Sequence, residues 1–231
     1  MGSMFKFCIE HLSHVAPILI AGALGIIITL ERYVALNISY PMSNSDGFFE
    51  RLRLLIMKDQ IKDAIALCER NRNKPSARIV REGLMRAHQP ETLIESGLEI
   101  VISECTEKIQ SRTAFLGTIA NVATLFGLLG TIIGLVQSFE AVGSANAQQR
   151  ASLLAQGIST AMNATMLGLG VAIPCMIAFA YLTSRTNKLV AEVEQSALRT
   201  LDILRQRYFS ASVVEHNDDA TFADNLIRKR G

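Results

Sequence analysis

Polar side chains recur at helical spacing inside two stretches of this chain that otherwise carry no charge. In the first, Asn121, Thr124, Thr131 and Ser138 lie three, seven and seven residues apart, close to one face of a helix. In the second, Ser152, Gln156, Thr160 and Asn163 make another stripe, with Thr165 just beyond it. Hydroxyl and amide oxygens can coordinate a hard cation or hold a proton in a hydrogen-bonded path, but none of these side chains titrates near neutrality. No Asp, Glu, Lys, Arg or His accompanies them between Ala114 and Phe139 or between Ala151 and Ser184. If an ion moves along these stripes, the titrating carboxylate has to come from a second protein. Gly127, Gly130 and Gly134 lie beside the first stripe and Gly157, Ala161, Ala164 and Gly168 beside the second, where they let another backbone approach. Pro174 frees a helix carbonyl in the middle of the second stretch. The plainer reading of each residue is packing, with Ser and Thr bonded to their own i−4 carbonyl.

These residues need long helices to hold them. At the helical rise of about 1.5 Å per residue, Ala114–Phe139 reaches roughly 39 Å and Ala151–Ser184 roughly 51 Å. A hydrocarbon core is about 30 Å thick, so the two form a transmembrane hairpin around a short polar connection holding Glu140 and Arg150. An earlier apolar block, Leu12–Leu30, reaches roughly 29 Å and supplies a third span. It is not read as a cleaved signal, because no basic cluster precedes it and no small-x-small site follows before Glu31. His14 and Pro17 fall in its first turns, His14 at headgroup depth. Met1-Gly2-Ser3-Met4 reads as an expression scar before a native start.

Basic residues set the orientation. Thirteen Lys and Arg lie between Glu31 and Thr113 and eight after Ser184, against only Lys6 and Arg150 on the other side. The positive-inside rule therefore predicts an outer N-terminus and a cytoplasmic C-terminus. The expected layout is a short periplasmic N-terminus (1–11), a first span (12–30), a cytoplasmic helical domain (31–113), a second span (114–139), a periplasmic loop (140–150), a third span (151–184), a cytoplasmic helical extension (185–209) and a tail (210–231) that is disordered or an appended helix. The fold class is an all-α polytopic membrane protein.

Within the cytoplasmic segment, Phe48, Phe49, Leu52, Leu55 and Ile56 mark one amphipathic helix, and Asp59 is placed to cap the next. Asn71–Pro75 breaks that one, a further helix runs to His88, and Pro90 opens the last. From about Pro90 to Phe139 the sequence predicts one continuous rod. After the third span, Leu189, Val193, Ala197, Leu201 and Leu204 form an apolar stripe suited to packing on the cytoplasmic helices.

Composition excludes several functions. Net charge is +2, which gives a nucleic acid little to hold. The four cysteines are scattered, so neither a disulfide framework nor a zinc site is predicted. No nucleophile–base pair or phosphate loop is visible, so no enzyme and no cofactor are expected.

Two motifs are familiar. Gly127-Leu-Leu-Gly-Thr131-Ile-Ile-Gly134 resembles the second span of the MotA/TolQ/ExbB proton channel family, and Gly157-Ile-Ser-Thr-Ala-Met-Asn-Ala-Thr165-Met-Leu-Gly168-Leu-Gly-Val-Ala-Ile-Pro174 resembles its third. The three-span order is closer to ExbB and TolQ than to MotA. The resemblance implies a homopentamer in a bacterial inner membrane around a dimer of a single-span ExbD/TolR-like partner whose membrane helix carries an Asp. It implies that flow of a proton, or of sodium, along that Asp drives mechanical work across the envelope. Thr131 and Thr165 match the family's pore-facing threonines, and Pro174 its third-span proline. Thr160 stands where ExbB and TolQ commonly carry glutamate, so this subunit lacks a titratable group there and offers a hydroxyl-rich site instead. Thr160 and Thr165 are about 140° apart around a helix. Thr165 is therefore assigned to the pore and Thr160 to the boundary with a neighbouring copy's Thr131. Asn121, Thr124 and Asn163 complete the candidate ion path. The alternative is a non-conducting scaffold that assembles by helix packing; a solute transporter fits less well, for want of an internal repeat or an intramembrane charge.

Overall fold

The computed structural model describes residues 12–42 and 45–228, with side chains for 15–42 and 45–208. The expected periplasmic N-terminus, the side chain of His14 and the side chains of the tail lie outside these. Seven α-helices make up the described chain, with no strand among the described residues: α1 (Leu12–Val34), α2 (Ser45–Met57), α3 (Ile61–Glu69), α4 (Pro75–Met85), α5 (Glu91–Gln110), α6 (Thr113–Ser144) and α7 (Ala147–Arg228). Three stretches are long and apolar enough to cross a membrane: Val15–Ser39, Glu91–Ser144 and Ala147–Tyr208.

The helices sort into two compact units. The first holds α1, α6 and the opening part of α7, residues 12–35 and 110–185. Its interior is built from small side chains: Ala120 and Ala123 of α6 meet Ala172 and Cys175 of α7, with Ile119 and Val171 packed alongside. Val15 of α1 and Ala164 of α7 form a second cluster with Leu167. Most of the large apolar side chains point the other way. Ile20, Ile26 and Ile27 of α1, Leu125 and Phe139 of α6, and Met162 and Ile177 of α7 are all more than half exposed. In water such a surface would drive aggregation; in a bilayer it faces acyl chains or neighbouring spans. Ile18, Leu116 and Leu182 are the exceptions, fully buried in this unit. With three membrane-length helices whose outer surface is this apolar, the chain is an all-α polytopic membrane protein.

The second unit holds α2 to α5 and residues 186–208 of α7. Here the large side chains go inside, as water demands: Leu52 and Ile56 of α2, Ile79 and Val80 of α4, Leu98 and Ile109 of α5, and Leu189, Val193, Ala197, Leu201 and Leu204 of α7 are buried. Full burial of one such side chain is worth about 1.5–3 kcal/mol, so this core, unlike the first, is held by the ordinary hydrophobic effect. Arg199 reaches Asp46 at 2.9 Å, Arg207 reaches Asp59 at 2.7 Å, and Arg205 pairs with Glu91 and Glu95, fixing α7 against its neighbours.

Three local features differ from the sequence reading. The predicted rod is broken: α5 stops at Gln110 and α6 starts at Thr113, with Arg112 between them at φ 63°. A left-handed residue cannot continue a right-handed helix. Asp59 does not cap α3. It too is left-handed, at φ 59°, so Gln60 takes the cap position and the Asp59 carboxylate accepts from Arg207. The helix that holds the first predicted span runs on past Leu30; α1 continues to Val34 and widens into a π-helical turn over Ala35–Ser39.

The seam between α6 and α7 as a candidate functional site

α6 and α7 run antiparallel and meet along their small residues. At the middle of the seam a Cβ built on Gly168 would stand 2.8 Å from the Ala123 carbonyl oxygen and 2.8 Å from the Gly127 Cα. No real side chain fits there, so backbone lies directly on backbone. Toward the α6–α7 connection, Ser138 is buried against Gly157, where a Cβ would fall 1.5 Å from the Ser138 Oγ. Gly130 and Gly134 face Ala164 and Ala161 in the same seam.

The hydroxyls border this contact, and nearly all of them spend their proton on their own helix. Thr124 Oγ1 donates to the Ala120 carbonyl at 3.0 Å, Thr131 to Leu128 at 2.6 Å, Ser138 to Gly134 at 2.5 Å and Thr160 to Gln156 at 3.0 Å. Thr165 differs: its hydroxyl reaches across the seam to the Gly127 carbonyl at 3.4 Å, a long bond. A hydroxyl has one proton to give and two lone pairs to receive with. With the protons committed, what these side chains can offer a third party is oxygen acceptors. The row can receive a hydrogen bond from a protonated acid or coordinate a cation, and supplies neither acid nor base itself.

The two sequence stripes change in burial along their length. Along α6, Asn121 and Thr124 are exposed, Thr131 is half-buried and Ser138 is buried against α7. Along α7, Ser152 and Gln156 are exposed while Thr160, Asn163 and Thr165 are half-buried. Small-residue contact at Gly127, Gly134 and Gly168 pulls one end of each stripe into the seam and leaves the other end facing out. α7 passes through Pro174 as one uninterrupted helix, with Pro174 itself exposed.

Sequence reasoning missed the charges at the end of α1. Glu31 accepts from Arg112 at 2.7 Å, tying α1 to the break before α6. Arg32 is 5% exposed; its Nη2 donates to Glu31 at 3.2 Å, while Nε and Nη1 have no partner among the described residues. The only sequence signal was a charged pair directly after an apolar block, which reads equally well as a span ending in water.

The comparisons with known proteins agree with this architecture. Residues 71–195, more than half of the chain, match the model of the MotA/TolQ/ExbB proton channel family, and the chain belongs to that family. It is similar to the Tol-Pal system protein TolQ of Haemophilus influenzae, 34% identical over 101 residues, which are 42% of this chain and 44% of that one. It is also similar to a putative biopolymer transport protein ExbB homolog of Methanothermobacter thermautotrophicus, 33% identical over 120 residues (52% of this chain, 42% of that one). A longer match, to the biopolymer transport protein exbB1 of Vibrio cholerae, is 25% identical over 185 residues and covers 78% of this chain and 79% of that protein. The stretch matched in the TolQ and in the ExbB homolog is less than half of each protein's own length.

Proposed function

We propose that this chain is the channel subunit of an ion-driven motor in a bacterial inner membrane, five copies surrounding a dimer of a single-span ExbD/TolR-like protein. The observation that carries the reading is the acceptor-only character of the seam. Thr124, Thr131, Ser138 and Thr160 have given their protons to helix carbonyls, and no Asp, Glu, Lys, Arg or His lies in either span. A proton or sodium ion crossing here needs a carboxylate brought by the partner, and the natural donor is an Asp on that partner's membrane helix. Protonated, that Asp donates to a threonine oxygen; ionised, it shares a cation with it. Repeating this around a ring converts ion flow into relative motion of ring and partner, and so into work across the envelope. The N-terminus faces the periplasm and the C-terminus the cytoplasm, following the basic residues.

Thr131→Val and Thr165→Val, each close in volume but without the oxygen, test this in cells that depend on the complex. The expected result is a loss of activity of tenfold or more while the native mass still shows five copies of this chain with two of the partner. Full activity in both variants would return the chain to the scaffold reading, in which the threonines serve packing alone.

A further inference from the structure

The second unit carries a cationic cavity that the ion path does not use. It measures about 290 Å³ and is lined by Ser39, Tyr40, Arg72, Asn73, Arg78 and Lys108, together with Pro75, Cys105 and Ile109. There is no Asp or Glu in that lining. Outside it, Arg78 pairs with Glu104, but a guanidinium has five donors and retains some for a second acceptor. The Arg72 and Arg78 side chains also line an adjoining cavity with Arg81, where Glu69 is the one carboxylate. Three cations therefore converge on one small space with hydroxyl and amide donors beside them, an arrangement suited to a phosphate group.

Chain connectivity limits how far it can lie from the spans. Ser39 is the last residue of the first membrane-length stretch, and Tyr40 follows it. Ile109 precedes the start of α6 at Thr113 by four residues, a reach of at most about 15 Å. The polar headgroup layer adds about 5–8 Å to each side of the hydrocarbon core, so residues this few positions from both spans are tethered within reach of it. A tyrosine at its edge is the usual companion of that layer.

We propose that this cavity is a binding site for the phosphate headgroup of an anionic phospholipid, held by Arg72, Arg78 and Lys108. The inference needs only that the spans cross a bilayer, and it stands whether or not the chain conducts ions. A soluble phosphate shares the chemistry, but a lipid phosphate is presented by the membrane within reach of these tethered residues.

The test uses the full-length protein in detergent, titrated with phosphatidylglycerol, phosphatidylcholine or glycerol 3-phosphate and read by native mass spectrometry. Phosphatidylglycerol is expected to bind saturably and phosphatidylcholine at least tenfold more weakly. Each cation removed near a membrane surface weakens anionic-lipid binding by about fivefold, so Arg72→Gln with Lys108→Gln should weaken it by roughly 25-fold. Lys62→Gln, an exposed cation outside the cavity, should leave it unchanged. Arg72 and Lys108 are both exposed, so the double variant keeps its core, and its oligomer mass in the same spectra confirms that. Equal retention of the two lipids, or an unaltered phosphatidylglycerol affinity in the double variant, overturns the proposal. Glycerol 3-phosphate binding as tightly as phosphatidylglycerol would assign the cavity to a soluble phosphate and overturn the lipid.

Discussion

At the scale of single residues, the contact between Ser138 and Gly157 is the tightest constraint on the hairpin. Gly157→Ala would set a methyl where Ser138 Oγ and Cβ now stand, at 1.5 and 2.4 Å. Overpacking of this kind costs about 1–3 kcal/mol, so the variant should melt several degrees lower in detergent. Adding Ser138→Gly removes those two atoms and should recover most of the loss; a double variant no better than the single would show that the seam is not packed as described. Cys68 offers a second residue-level check. Burial pushes its thiol from 9.0 up to about 12, so at pH 8 a maleimide should label it orders of magnitude more slowly in the folded protein than in the denatured chain. The same shift acts on stability. Between pH 9 and 12 the unfolded chain has released this proton while the folded chain still holds it, so the Cys68 contribution is complete below 9 and falls as pH rises through that window. The positions of the polar residues were legible from spacing alone, because helical periodicity is geometric. The direction of each hydroxyl was not: Thr165 reaches across to Gly127, whereas Thr160 turns back on its own helix, and both are threonines at ordinary helical positions.

At the scale of elements, the spans were legible because runs of uncharged residues this long have no other stable home, and the soluble helices because their apolar residues repeat every three or four positions. The junction at Arg112 was not legible. Ser111 and Arg112 are ordinary helix residues, and no glycine or proline announces a break. What holds Arg112 left-handed includes its bond to Glu31, a residue 81 positions away, which no local window can see. The strain makes a prediction. Arg112→Gly relieves it and loses only an exposed ion pair, worth about 0–1 kcal/mol, so its thermal midpoint should stay close to the parent's. Arg112→Val forces a β-branched residue into the same conformation and should cost about 1–3 kcal/mol. If both variants melt alike, the segment is not left-handed in solution. The cationic cavity was hidden for a similar reason: Tyr40, Arg72, Arg78 and Lys108 come from three separate parts of the sequence and meet only after α4 and α5 have packed.

At the scale of the whole molecule, each unit is assembled from two separate parts of the chain, and the parts of the two units alternate along it. The second unit needs residues 36–109 and also 186–208, and everything in between belongs to the hairpin. This dictates an order of synthesis. When residue 109 has emerged, Ile79, Leu98 and Ile109 exist but Leu189, Val193, Leu201 and Leu204, which complete their core, have not been translated. The early helices must wait, apolar side uncovered, while two spans are threaded into the bilayer. Ribosome-arrested chains ending near residue 185 should thus be cut rapidly by protease within 36–109, and chains released after residue 208 should resist; equal resistance in both would mean that the early helices close on their own. A cell making this protein has a nascent domain that cannot shut until the membrane insertion machinery has finished, so a lapse in insertion leaves an open domain for chaperones and proteases to find.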